Sequence, residues 1–246
     1  YMRSLSASEL LNIWEWGLNQ PSWSKAIKLL ASACPETSID MLTQFSLGQR
    51  DAMLLTLREW TFGSQLVSQV TCPSCGEVLE LNSDIADMRV APLSLEPVEK
   101  YCLELADYQV SFRLPNSLDM IAIAEHKQPE IAQEILLERC ILQAVCNGEY
   151  LPFQQLPCHT RDAIITQMAQ ADPQANVPID ISCSACNYQW QSLFDIVSFF
   201  WAEINAWGFR VLREVHTLAA AYSWREADIL AMSPRRRKLY LEMVTD

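Results

Sequence analysis

Two Cys-x-x-Cys pairs constrain this chain more than any other feature: TCPSCGEVLEL at residues 71–81 and ISCSACNYQWQSLFDI at 181–196. Placing Cys72 over Cys183 sets Cys75 over Cys186 and Gly76 over Asn187 without a gap. The same register carries Val70 onto Ile181, Leu79 onto Trp190 and Asp84-Ile85 onto Asp195-Ile196. The chain therefore holds a two-copy repeat of strand, knuckle and strand. A Cys-x-x-Cys knuckle turns both sulfurs toward one point, and the residue after the second Cys favours a positive φ. Gly takes that conformation freely and Asn better than most residues. Two such knuckles supply four thiolates, the closed tetrahedral set of a structural zinc site.

Other uses of paired thiols fit less well. A redox Cys-x-x-Cys opens a helix in a βαβ setting, whereas each pair here runs into strand-like alternation. A disulfide framework suits an even cysteine count, and this chain has nine. Inert buried thiols remain the plain alternative. Zinc ribbons commonly separate their knuckles by about 15–20 residues, so the long interval before Cys183 is a departure. The expected ligands are Cys72, Cys75, Cys183 and Cys186, holding one structural Zn2+ per chain. Four cysteines leave no open position for a catalytic water.

Helical signals flank and separate the knuckles. Ser6-Ala7-Ser8-Glu9 reads as a capping box, with Leu10, Leu11, Trp14 and Leu18 at helical spacing behind it. Pro21-Ser22 restarts the chain, Trp23, Ile27, Leu30 and Cys34 form the next stripe, and Pro35 stops it. A third helix spans Leu47 to Trp60, turning Met53, Leu54 and Leu57 inward, and Phe62-Gly63 ends it. Between the knuckles, Tyr108 to Leu114 alternates as a strand, and Pro115-Asn116-Ser117 caps a helix beginning near Leu118. Ile131, Ile135, Leu136, Cys140, Leu142 and Val145 predict one long amphipathic segment, and Thr160 to Met168 another helix. After the second knuckle, Ser223 to Glu226 reads as a second capping box. Ser233-Pro234 opens a last helix, Arg235 to Val244.

The expected fold is α+β and predominantly α-helical, with a small split zinc ribbon. Its segments are helical residues 1–65, a first ribbon half 66–90, a mainly helical insertion 91–176, a second half 177–196 and a helical segment 197–246.

The 246 residues carry a net charge of −12, which repels nucleic acid. Residues 192 to 209 are apolar enough to raise a membrane span, but Asp195, Glu203, Asn205 and Gly208 interrupt them. A buried helix leaving the second knuckle fits better, so no transmembrane segment is expected. The first residue is Tyr, which leaves a removed leading segment open. No Ser-His-Asp spacing, P-loop or Gly-x-Gly-x-x-Gly is present. His126, His159 and His216 stand apart, and Cys34, Cys102, Cys140, Cys146 and Cys158 show no ligand spacing. Four cations, Arg235 to Lys238, stand at a helix N-terminus, where the macrodipole disfavours them. They read as a solvated helix end or as a docking patch for an acidic partner.

Taken in order, WEWGLNQ…RDAMLLTLRE, the first knuckle, a strand ending FRLP, the second knuckle and the closing AAAYSWREADILAMSPRRRKLYLEMV resemble a known family. It is the zinc-ribbon baseplate proteins of contractile phage tails and phage-tail-like injection systems, the T-even baseplate hub assembly chaperone-like group. The resemblance covers most of the chain, and the four knuckle cysteines match position for position. It implies a non-enzymatic structural or assembly subunit in contact with other baseplate, hub or wedge subunits. It also implies a cytoplasmic protein within an assembled particle, and leaves release or membrane tethering of that particle open. The alternative is a zinc-ribbon nucleic-acid or transcription-associated adaptor, which would want a basic face beyond Arg235 to Lys238.

Overall fold

The structure, a computed structural model, describes residues 1–90, 100–126 and 128–245. Residues 91–99, the start of the expected insertion, lie outside it. In chain order the elements are α1 (Ala7–Gly17), α2 (Ser22–Ala33), α3 (Ile39–Gln44), α4 (Leu47–Phe62), β1 (Gln65–Thr71), β2 (Val78–Asp84) and α5 (Ile85–Met88). There follow β3 (Tyr101–Leu105), β4 (Tyr108–Phe112), α6 (Ser117–Ile123), α7 (Pro129–Cys140), β5 (Ile141–Cys146), β6 (Glu149–Tyr150) and α8 (Cys158–Ala171). The chain closes on β7 (Pro178–Ser182), β8 (Gln189–Leu193), α9 (Ile196–Tyr222), α10 (Glu226–Ala231) and α11 (Pro234–Thr245). The architecture is α+β and mainly helical, as the sequence predicts. The chain divides into two compact units, residues 1–37 with 195–246, and residues 38–194.

The first unit is all helix. α9 is its axis, touched by α1, α2, α10 and α11. Ile196, Phe200, Ile204, Trp207, Val211, Val215 and Leu218 recur three or four apart and are buried, which turns one stripe of a long helix into core. The Ser6–Glu9 capping box forms as read. Gly208 does not interrupt α9. It provides the notch in which Trp14 lies: a Cβ built on Gly208 would stand 2.6 Å from Trp14 Cδ2. The indole N–H of Trp14 donates to Asn205 Oδ1 at 2.9 Å. The pairing is reciprocal, since a Cβ on Gly17 would overlap the Trp201 ring. Gly208→Ala should therefore destabilise by about 1–3 kcal/mol through overpacking. Denaturant unfolding followed by tryptophan fluorescence measures this, and an unchanged midpoint would show that α1 and α9 can part at no cost.

The end of this unit departs from the sequence reading in two places. Ser223 does not open a capping box. It takes the left-handed conformation (φ 55°) as the C-cap of α9, and its N–H donates to Ala219 O at 2.9 Å. Ser223 is thus used to stop one helix, and α10 begins without a side-chain cap. The basic run is not uniformly solvated either. Arg237 is buried, pairs with Glu214 at 3.1 Å and donates to Met232 O at 2.8 Å.

The second unit combines two hairpins with a four-stranded antiparallel sheet in the order β3-β4-β5-β6. Val110, Phe112 and Ala144 from the sheet bury against Leu137 of α7 and Ile164 of α8, with Leu156 completing the cluster. The segment between the knuckles is thus less helical than its apolar spacing suggests. α7 stops at Cys140, and Leu142 and Val145 belong to β5, paired with β4. The turn that follows explains this. Asn147 (φ 50°) and Gly148 (φ 83°) join Cys146 to its partner Glu149 as a two-residue hairpin, the Asn-Gly turn that matches strand twist. β-Branched Ile141 and Val145 fit the strand better than a continued helix.

A buried ionic group fixes the entry to α6. Asp119 has no exposed side-chain surface and pairs with Arg113 at 2.6 Å and Arg139 at 2.9 Å. It also accepts the Asn116 N–H at 3.0 Å, closing a capping box in which Asn116 caps the Leu118 and Asp119 amides. Burial works against the charge of Asp119, yet Arg113, the Asn116 amide and Arg139 outweigh it. They hold the carboxyl below the ordinary carboxylate range.

Candidate metal centre

Both hairpins are built alike. β1 and β2 pair antiparallel from Gln65↔Asp84 to Thr71↔Val78, and β7 and β8 from Pro178↔Leu193 to Ser182↔Gln189. In the first turn the Cys72 N–H donates to Glu77 O at 2.8 Å and the Gly76 N–H to Cys72 O at 2.9 Å. In the second, Cys183 and Tyr188, then Asn187 and Cys183, make the same two bonds, each at 2.9 Å. Gly76 has φ 77° and Asn187 φ 56°, the left-handed conformation that residue choice predicts. The repeat continues past the strands. Asp84 caps α5 and Asp195 caps α9 through side-chain oxygens.

Other side chains hold the hairpins in place. Arg58, buried at 1% exposure, donates to Gly63 O and Gln65 O, each at 2.6 Å, and so fastens the end of α4 to the start of β1. Gln174, buried in the turn before β7, donates to Met88 O at 2.9 Å and accepts the Val90 N–H at 3.1 Å. That bracket joins the exit of the first hairpin to the approach of the second. Sequence reasoning found neither residue, because an Arg in a helix and a Gln in a turn give no local signal of burial.

The result is a tetrad. Cys72, Cys75, Cys183 and Cys186 place their sulfurs within 4.8 Å of one another. Cys72 and Cys186 are 3.7 Å apart, and Cys75 and Cys183 3.6 Å. These are not disulfides, whose sulfurs lie about 2.05 Å apart. They fit a tetrahedron of metal–sulfur bonds of about 2.3 Å, in which sulfurs stand about 3.8 Å apart. The first cysteine of each knuckle is buried and the second exposed. Among the described residues no His, Asp or Glu joins the group. Four cysteines so placed could hold a metal ion.

Proton affinities inside the tetrad diverge. Burial opposes the Cys72 thiolate, but the amides of Cys75 and Ser74 and neighbouring thiols bring it down to about 7. For Cys75 the Glu77 amide pulls downward, while hydrogen bonds with Cys186, burial and the other thiols push it up to about 12. Thiols this close resist losing all their protons together unless a cation compensates the charge.

The remaining candidates stay apart. Cys34 and Cys140 are buried, Cys102 and Cys158 are exposed, and Cys146 is half-buried. Burial first, then the charge of Asp119, pushes the Cys140 thiol up to about 12. His159 and Tyr108 meet as a T-shaped ring pair, at 6.1 Å between centroids. No described helix is long and apolar enough to cross a membrane.

A family model described as T4 bacteriophage base plate protein matches residues 7–201. The chain belongs to that family. The matched span contains both knuckles of this baseplate protein and everything between them, while α10 and α11 lie beyond it. Comparison with curated proteins finds no match, and neither does comparison with solved structures.

Proposed function

We propose that this protein is a non-enzymatic structural or assembly subunit in the baseplate of a contractile phage tail or related injection system. In this reading the hairpins, residues 66–90 and 177–196, are the halves of a split zinc ribbon. The observation that carries it is the cysteine tetrad inside a chain of the baseplate family. A bound zinc ion would supply four bonds to sulfur and leave no coordination position for substrate. What the protein's own residues contribute is geometry. Cys72 and Cys75 tie down the strand leaving α4, and Cys183 and Cys186 the strand leading to α9. Two segments 107 residues apart are thereby closed into one loop, which removes much of the freedom of the intervening chain.

Family membership implies assembly with other baseplate components, and hub or wedge subunits are the partners proposed. The net charge of −12 works against the nucleic-acid adaptor alternative.

Two measurements test the proposal. Elemental analysis of protein purified without chelator should give about one zinc per chain, and absence of bound metal would remove the ribbon reading. Electron microscopy of particles from a strain lacking the gene should show tails or tubes without complete baseplates. Normal particles from that strain would overturn the baseplate role.

A further inference from the structure

We propose that α11 of one copy of this protein docks into the groove between α7 and α8 of another. The groove has a volume of about 430 Å³. α7 turns Glu130, Glu134 and Leu137 toward it, and α8 turns Arg161, Asp162 and Ile165. Residues three and four apart line each wall, the arrangement with which two helices receive a third. The floor is apolar and the rim mainly acidic. Glu130 and Asp162 are exposed, whereas Glu134 is paired with Arg161 at 3.1 Å.

α11 carries the complement. Leu239 is 50% and Met243 65% exposed, and their spacing of four sets them on one helical face. Arg235 and Arg236 are also exposed and stand one turn before Leu239, on the same side. Arg237 is not available, since Glu214 holds it inside its own unit. An apolar stripe preceded by two cations thus faces outward from a helix of 12 residues, the same length as α7. Those cations sit at a helix N-terminus, where the dipole disfavours them, and the carboxylates of the groove relieve that penalty. In a chain of net charge −12, the acidic groove and the basic helix are each other's complement in sign and in apolar content.

The contact joins two different surfaces, so it propagates from copy to copy and generates a ring or an open chain rather than a two-fold dimer. A single helix in a groove falls at the small end of interface sizes, below about 1,200 Å². Association is accordingly weak and concentration-dependent in solution.

The inference does not depend on the metal centre, and its failure would leave the baseplate reading untouched. The test is sedimentation equilibrium of the full chain at low salt, where charge contacts are least screened. Between about 5 and 200 µM the weight-average mass should rise at least about 1.5-fold, as befits a small interface. Arg235→Glu/Arg236→Glu should remain monomeric, and so should Glu130→Lys/Asp162→Lys. An equimolar mixture of the two variants should regain association, because reversed helix then meets reversed groove. Thermal melts establish that each variant is folded, and the helix variant should melt no lower than the parent, its dipole penalty being gone. A parent protein that stays monomeric throughout would overturn the proposal. So would a helix variant that associates like the parent, or a mixture of folded variants that fails to associate.

Discussion

Cys183→Ser should abolish stoichiometric metal binding and destabilise the protein by more than about 4 kcal/mol, the range reserved for loss of a metal or a buried network. For a chain of this size that corresponds to a fall in melting temperature of about 8–16 °C. Cys183 is fully buried, and it contributes one of the four clustered sulfurs, which a serine hydroxyl does not replace as a thiolate ligand. Metal affinity of such a site is folding free energy, because the site does not exist in the unfolded chain. Cys140→Ser is the matched control. Cys140 is equally buried, but its sulfur lies 4.0 Å from Asp119 Oδ2. Serine is close to cysteine in size and loses mainly apolar burial there, so the net change should stay within about 1–2 kcal/mol. The two variants are compared by metal content and thermal melting. Equal losses of stability would mean that the knuckles are ordinary core and that no metal contributes to folding.

Asp119→Ala should cost about 3–5 kcal/mol, the penalty for breaking a buried ion pair from one side. The substitution leaves Arg113 and Arg139 facing each other with no carboxylate between them, and it opens the cap of α6. Arg139→Ala should cost much less, because Arg139 is 41% exposed and Asp119 keeps Arg113 and the Asn116 amide. The same group gives a pH dependence of definite sign. The folded-state carboxyl is held below its unfolded value, so its contribution is present above the unfolded pKa of about 3.9. That contribution fades as the pH falls through the lower folded value. Urea midpoints at pH 7 and pH 3 should therefore converge for the parent and Asp119→Ala. Midpoints that stay equally far apart at both pH values would show that the loss came from packing rather than charge.

Much of the site was legible because its determinants are local. The hairpins, the positive φ at Gly76 and Asn187, and the cap at Ser6 each depend on residues within a few positions. Short-range sterics and hydrogen bonds decide such features wherever the chain goes. The repeat between the knuckles added the one long-range fact, because two matching half-sites of two thiols each are complete only together. Asn116 and Asp119 had the spacing of a capping box, and Asn147-Gly148 that of a hairpin turn. Both signals lay in the sequence, and the second should have ended the long helix at Cys140.

Other features were settled only in three dimensions. Nothing near Gly208 in the sequence shows that Trp14 will lie against it. Nothing near Arg58 or Gln174 shows that they will be buried against carbonyls at the base of the hairpins. Arg237 looked like its neighbours Arg235 and Arg236 until Glu214 of α9 claimed it. For Gly208, Gln174 and Arg237 the partner arrives from far along the chain. Arg58 instead bonds carbonyls five and seven residues on, which the turn after α4 brings back to it. By itself the sequence determined most helix starts, the two knuckle hairpins and which cysteines could meet. Tertiary structure decided which side chains are notched, buried or paired, because those energies exist only once distant segments have excluded water from between them.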